Sequence, residues 1–430
     1  MSQITHVLFL VTWLLFPTTA GMAAPARPDL PTRIRQNECF AFVKEKALQV
    51  VKTGFNAGDG YGEVWIRDYN TFIELSAEVF PRDALKENLL VFFRMQGDDG
   101  NIIDGFIPKA KATGDYVYIL SGLEPRYAGH KNTVETDQES SLVQAARKYV
   151  QRTGDRSILD ENVGGQTVAA RLERAMDFLM THRFNDKYGL IWGATTADWG
   201  DVQPEHDWGV YLNKDTHYAL DIYDNAMFLI ALEDLMTLVP ATKAKWQPIR
   251  KRIAKNTRRF LWDEKNRKFI PHVYLNGSPF PAEFDENRIY YHGGTAVAIE
   301  AGLLSKKEIK EATRKMVANV KASGAGSIGL TMYPPYPEGY FKNKSMYPYG
   351  YQNGGDWTWF GGRMIQQLIR HGFYEDAYEL AQPMVERVKK NNGFYEWYTV
   401  RNEPKGSGTF RGEAGVLYQA IRMFENSVVK

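Results

Sequence analysis

Five stretches of this chain crowd aromatic rings, glycines, amides and carboxylates together: residues 58–70, 130–137, 192–201, 349–359 and 393–413. That mixture suits a sugar ring. The C–H face of a pyranose stacks on Trp or Tyr, while its hydroxyls pair with Asp, Glu, Arg and Gln in fork-like hydrogen bonds. On this reading Trp65, Asp137, Trp199, Tyr351, Gln352, Trp359, Tyr398 and Glu413 are the candidates for holding a saccharide. A lone Asp or Trp in a loop is more often a helix cap or a filler of the loop's own core. Five stretches of one chemistry, in a chain whose aromatics reach 13%, argue instead for a shared site.

Stretches so far apart in sequence need a scaffold that gathers them. Helical periodicity recurs along the chain in two kinds. Val168, Leu172, Ala175, Met176 and Leu179 form one apolar stripe; Trp246, Ile249, Ile253 and Phe260 form another; Ile309, Ala312, Met316, Val317 and Val320 form a third. Ser305 with Glu308 predicts a capping box at the start of the third, and Pro383 predicts a kink in a fourth amphipathic helix. By contrast, 226–232 and 296–299 are apolar nearly all round, as helices buried on every side must be. Helix starts near residues 33, 68, 84, 137, 166, 221, 243, 293, 305, 356, 373 and 411 alternate between the two kinds. An all-α (α/α)6 toroid, an inner ring of helices wrapped by an outer ring, satisfies both patterns. Strands are expected only as short hairpins in the long loops, and those loops open together on one face. No linker or composition break divides 25–430, which reads as one domain.

Trp65-Ile66-Arg67-Asp68, Ala197-Asp198-Trp199-Gly200-Asp201, the run from Tyr351 to Trp357 and the run from Phe394 to Tyr398 resemble motifs of the six-hairpin glycosidases. That broad group includes trehalases, processing α-glucosidases and cellobiose-type phosphorylases. The resemblance extends over most of the chain after about residue 55 and implies the same (α/α)6 barrel. It also implies cleavage of a glycosidic bond, with Asp201 as general acid, because Trp199-Gly200-Asp201 is similar to the Trp-Asn-Asp of the phosphorylases. Asp198 is the rival for that role. Glu396, two residues before Tyr398, is similar to the general base of trehalase-like enzymes, and Gly412-Glu413 is similar to an element that follows that base. Arg67, Asp68, Asp356 and Trp357 would then bind the sugar in the innermost subsite.

Inversion needs a protonated acid at the leaving oxygen and an ionised carboxylate behind a water, roughly 6.5–9.5 Å apart. Trp199 is expected to desolvate Asp201, and Tyr398 or Arg411 to keep Glu396 ionised. The sequence departs from these families in two places. The Ser-Gly pair before the trehalase-type acid is missing, and the β domain of the phosphorylases has no room ahead of the barrel. Since Glu396 supplies a carboxylate base, the balance favours hydrolysis over phosphorolysis.

The 53 Lys+Arg against 51 Asp+Glu leave a net charge of +2, which argues against nucleic acid or an anionic membrane as the main partner. Cys39 stands alone, excluding an internal disulfide and a Cys-ligated zinc, and the scattered histidines lack paired metal spacing; neither metal nor cofactor is expected. An apolar run from Val7 to Phe16, followed by small residues up to Ala24, reads as a signal peptide over 1–24. A secreted, periplasmic or secretory-lumen protein without a membrane anchor is expected, with a carbohydrate as its partner. Asn276-Gly277-Ser278 and Asn343-Lys344-Ser345 fit N-glycosylation acceptors. Two other functions suit the same scaffold: a polysaccharide lyase using Tyr or His beside Arg and Lys, and a carbohydrate-binding protein without catalysis.

Overall fold

In the computed structural model the described residues are 28–113 and 117–429, so the expected signal peptide lies outside them. Thirteen α-helices carry this part of the chain: α1 (Leu30–Arg35), α2 (Glu38–Val51), α3 (Ile66–Ser76), α4 (Arg82–Arg94), α5 (Gln138–Thr153), α6 (Val168–His182), α7 (Ile222–Leu238), α8 (Lys243–Leu261), α9 (His292–Glu300), α10 (Lys306–Ser323), α11 (Thr358–Arg370), α12 (Tyr374–Asn391) and α13 (Arg411–Phe424). The helix expected near residue 33 is two. The side chain of Asn37 accepts the amide of Phe40 and starts α2 afresh after the single turn of α1. α10 opens on the expected capping box, with Ser305 and Glu308 each bonding the other's backbone. α12 continues through Pro383.

Alternate helices form a closed inner ring. α3 packs on α5, α5 on α7, α7 on α9, α9 on α11, α11 on α13, and α13 returns to α3. The helices between them lie outside. α9 is buried along its whole length except for Glu300, whereas α8 buries only Trp246, Ile253, Thr257 and Leu261. The stripe of α6 is buried throughout; in α10, Val317 faces solvent although it was expected in the stripe. Each fully buried Leu, Ile, Val or Phe contributes about 1.5–3 kcal/mol, so the doubly covered inner helices carry most of the hydrophobic stabilisation. At the seam where the ring closes, a Cβ on Gly415 of α13 would lie 2.4 Å from the Thr71 carbonyl of α3. Only a glycine lets the two backbones approach this closely.

The loops hold more than hairpins. β1 (Val64–Trp65), β2 (Gly105–Pro108), β3 (Ile119–Ser121) and β4 (Glu124–His130) form a four-stranded antiparallel sheet in the order β1-β2-β4-β3, with Trp65 opposite Gly105. β1 and β2 are separated by α3 and α4, so no local turn signal announces their pairing. The sheet fixes Trp65 at the entrance to α3 and carries His130 to the same end of the ring. Among the described residues, no helix is long and apolar enough to cross a membrane.

Candidate active site

A cavity of about 290 Å³ opens where the inner helices begin. Its inner wall comes from the entry and first turn of α3 (Trp65, Arg67, Asp68), the approach to α5 (Glu135), the entry and first turn of α11 (Trp357, Trp359) and the residue before α13 (Phe410). The connecting loops add Tyr61, Asp104, His130, Asn132, Trp199, Asp201, Tyr351, Gln352 and Glu396. Trp199 stacks on Phe360 with centroids 4.6 Å apart and meets Trp357 and Trp359 edge-on at 4.8 and 5.6 Å, which makes one continuous aromatic floor.

Glu396 precedes the short strand Trp397–Tyr398. Its Oε1 accepts the hydroxyl of Tyr61 at 2.9 Å, and its Oε2 accepts the amide of Ser407 at 3.3 Å. A Cβ on Gly406 would come within 2.3 Å of that Oε2, and its φ of +70° favours glycine at this turn. Burial pushes the Glu396 carboxyl above its ordinary range. The Tyr61 and Ser407 bonds pull it back, and the charge of Asp201 adds to the rise. Asp201 is gripped by Gln352 from a loop 151 positions away: the Gln352 amide donates to Asp201 Oδ1 at 2.8 Å, and its carbonyl accepts the Asp201 backbone N–H at 3.3 Å. Asn132 donates to the Asp201 carbonyl at 2.9 Å. Tyr351 beside Gln352 takes a φ of +42°, and its carbonyl accepts the Trp357 indole N–H at 2.9 Å, locking this loop into the floor.

Arg67 is anchored on the inner side. It bonds Asp137 through Nε at 2.7 Å and Nη2 at 3.3 Å, Glu135 at 2.9 Å and the Trp199 carbonyl at 3.3 Å. Asp68 next to it is different. Desolvation pushes its carboxyl up to about 8 against the opposing pull of Arg67, and its Oδ1 has no protein hydrogen-bond partner. Asp104 is pushed up to about 7 by the same burial, and His130 is pushed down to about 4. Near neutral pH this wall therefore presents a protonated Asp68 and an uncharged imidazole.

Of the candidates, Trp65, Arg67, Asp68, Trp199, Asp201, Tyr351, Gln352, Trp357, Trp359 and Glu396 line the one cavity. Five others do not reach its wall. Asp198 is turned away by a backbone φ of +58°, and its Oδ1 accepts the Gly294 amide at 2.8 Å in the first turn of α9. Asp137 lies behind Arg67 and accepts the Tyr223 hydroxyl at 2.7 Å. Asp356 is fully buried between Ser327 and Arg387, at 2.7 and 2.9 Å. Tyr398 stacks under the Arg387 guanidinium at 3.9 Å, and Glu413 accepts the Thr358 amide at 2.8 Å, the first residue of α11. Hence Asp198 and Glu413 cap inner helices from a distance, each lending a carboxyl oxygen to a first-turn amide. Tyr398 and Arg411 do not touch Glu396; Tyr61 takes that place, while Arg411 bonds Asn56. His292 is buried in α9 with its Nε2 against Asn319.

Tyr61, Asp104, His130, Asn132 and Glu135 were not singled out as site residues, though four of them lie within the first two aromatic–acidic stretches. Val202, Trp208, Val210, Asn343 and Ser345 at the cavity lip carried no motif beyond the glycosylation pattern at Asn343.

No protein-family profile matches this chain, and no curated protein matches it in sequence. Solved structures do match. A glycoside hydrolase family 63 mannosylglycerate hydrolase from Thermus thermophilus, in complex with glucose, superposes with a TM-score of 0.64 at 16% identity over 88% of this chain and 99% of that one. A rhamnosidase from Klebsiella oxytoca with rhamnose bound gives 0.59 at 12% identity, covering 89% of this chain and 63% of its own. A family 78 rhamnosidase from a Bacillus species gives 0.60 at 12% identity, covering 91% of this chain and 35% of its own. The likeness is one of fold: this chain shares the (α/α)6 toroid of these solved structures.

Proposed function

We propose that the protein is an inverting glycoside hydrolase acting on an oligosaccharide or glycan, with Asp201 as general acid and Glu396 as general base. One observation carries this reading: two carboxylates from separate loops, each held by a side chain from a third, share a single aromatic-floored cavity. In the proposed reaction a pyranose stacks on the indole floor, and Asp68, protonated near neutral pH, donates to one of its oxygens. Ionised Glu396 takes a proton from a water as that water's oxygen attacks the anomeric carbon. Asp201 gives its proton to the glycosidic oxygen as the C–O bond breaks. Gln352 occupies Oδ1 of Asp201, so the other carboxyl oxygen is the one that carries the proton. A Glu396 raised by burial is a stronger base once ionised, which suits its task.

The fold neighbours are, by name, hydrolases of mannosylglycerate and of rhamnosides, so this scaffold serves glycoside chemistry elsewhere. A lyase would need a free cation to neutralise a uronate. Arg67 is the one Lys or Arg among the described residues lining the cavity, and its guanidinium is committed to Glu135 and Asp137.

Kinetics on a panel of neutral disaccharides and matching glycosyl fluorides test the assignment. Glu396→Gln is expected to lower kcat roughly 10²–10⁴-fold on both substrate types. Asp201→Asn is expected to cost as much on the disaccharide but far less on the fluoride, which leaves without a proton. Undiminished disaccharide turnover by Asp201→Asn would remove it as the acid.

A further inference from the structure

We propose that the lip of the cavity is a second sugar subsite, shaped to hold the leaving group as a neutral pyranose with Trp208 as its stacking platform. This inference rests on the hydrolytic reading above and specifies its substrate.

The loop that carries Asp201 sets the direction. A group protonating the leaving oxygen must stand on the leaving-group side of the bond, and Val202, Trp208 and Val210 follow Asp201 on that same loop and line the same cavity. Asn343 and Ser345 complete the lip from the long loop between α10 and α11. Trp208 lines the cavity yet remains 57% exposed, unlike the buried tryptophans of the floor. The exposed part of that indole, at the mouth of a saccharide cavity, loses contact with water when a sugar face covers it.

The platform is stiff before any ligand arrives. Gln203 N–H donates to the Gly209 carbonyl at 3.1 Å and closes the loop beneath Trp208. Thr133 N–H reaches Val210 O and Lys342 N–H reaches Pro204 O, each at 3.0 Å, bracing the loop from both sides. Gly209 holds a φ of +76° at the turn. A surface fixed in this way loses little further freedom on binding.

Charge then selects the ligand. Val202, Trp208, Val210, Asn343 and Ser345 are all uncharged, while Asp207 and Lys344 point to solvent and do not line the wall. A carboxylate-bearing leaving group such as glycerate finds no cation here. A pyranose finds an indole face, two valines, and Asn343, whose Oδ1 is taken by the Ser345 hydroxyl and amide at 2.6 and 3.0 Å and whose own amide N–H groups, without a hydrogen bond among the described residues, can serve a sugar hydroxyl.

The test compares the full chain with its Trp208→Ala and Trp208→Phe variants on three probes. These are the best-cleaved member of a panel of neutral gluco- and manno-configured disaccharides, the fluoride of the same glycone and anomeric configuration, and the matching glycerate glycoside. Trp208→Ala is expected to lower kcat/KM for the disaccharide roughly tenfold or more relative to its effect on the fluoride. Trp208→Phe should recover most of that loss, and the wild type should favour the disaccharide over the glycerate glycoside. Equal losses on disaccharide and fluoride, or a preference for the glycerate glycoside, would overturn the subsite while leaving hydrolysis standing. A wild type that turns over no fluoride would overturn the hydrolytic reading and the subsite together.

Discussion

Tyr61 and Ser407 hold the two oxygens of Glu396, and among the described residues the hydroxyl of Tyr61 is the one side-chain donor on it. That bond opposes the upward push of burial. In Tyr61→Phe the carboxyl rises further, and the ionised form needed for a base appears only at higher pH. The acidic limb of the kcat/KM profile is therefore expected to move alkaline, with the basic limb in place. A profile measured from about pH 4 to about pH 9 checks this; an unmoved acidic limb would mean that Glu396 is not the group read there. At this scale the sequence was informative about kind and less so about direction. Trp, Asp and Gln in repeated loops marked Asp201, Gln352 and Glu396. Asp198 and Asp201 flank the same Trp199, and only the left-handed backbone at Asp198, which no residue type announces, turns one away from the cavity. Tyr61 was hidden for another reason: a phenol gains its role from a partner 335 positions distant.

The inner helices begin at the site, and their first amides need acceptors. Several caps are supplied by the loops instead of by the helix's own preceding residue. Tyr291, before α9, makes no side-chain cap, and Asp198 serves in its place. Asp198→Ala is expected to cost about 1–2 kcal/mol for the lost cap and about as much again for placing Ala at positive φ. Asp198→Asn keeps an acceptor oxygen and tolerates that conformation, so it should cost far less. Denaturant unfolding of the two variants separates these outcomes, and equal losses would contradict the capping role. Helix positions were legible because period and capping are local: the Ser305–Glu308 box and the all-apolar run of α7 could be read directly. The four-stranded sheet was not, because β1 reaches β2 only across α3 and α4 and the short strands carry no alternation.

Closure is a property of the whole ring. Two kinds of helix in alternation implied it, since a helix apolar on every side needs neighbours on every side. The seam itself rests on Gly415 against Thr71 and Phe72. Gly415→Ala forces a methyl into backbone and should destabilise the chain by about 1–3 kcal/mol in one cooperative transition, whereas Lys255→Ala on the exposed side of α8 should stay within about 0.5 kcal/mol. Thermal melts of both decide whether the seam is tight. The ring also brings Asp201 and Glu396 to one cavity, where an inverting mechanism needs both. Proton NMR of the first hemiacetal released, recorded before it mutarotates, tests it most directly. An acid at Asp201 and a base at Glu396 release the anomer opposite to that of the bond cleaved; release of the same anomer would rule out their working as an inverting pair.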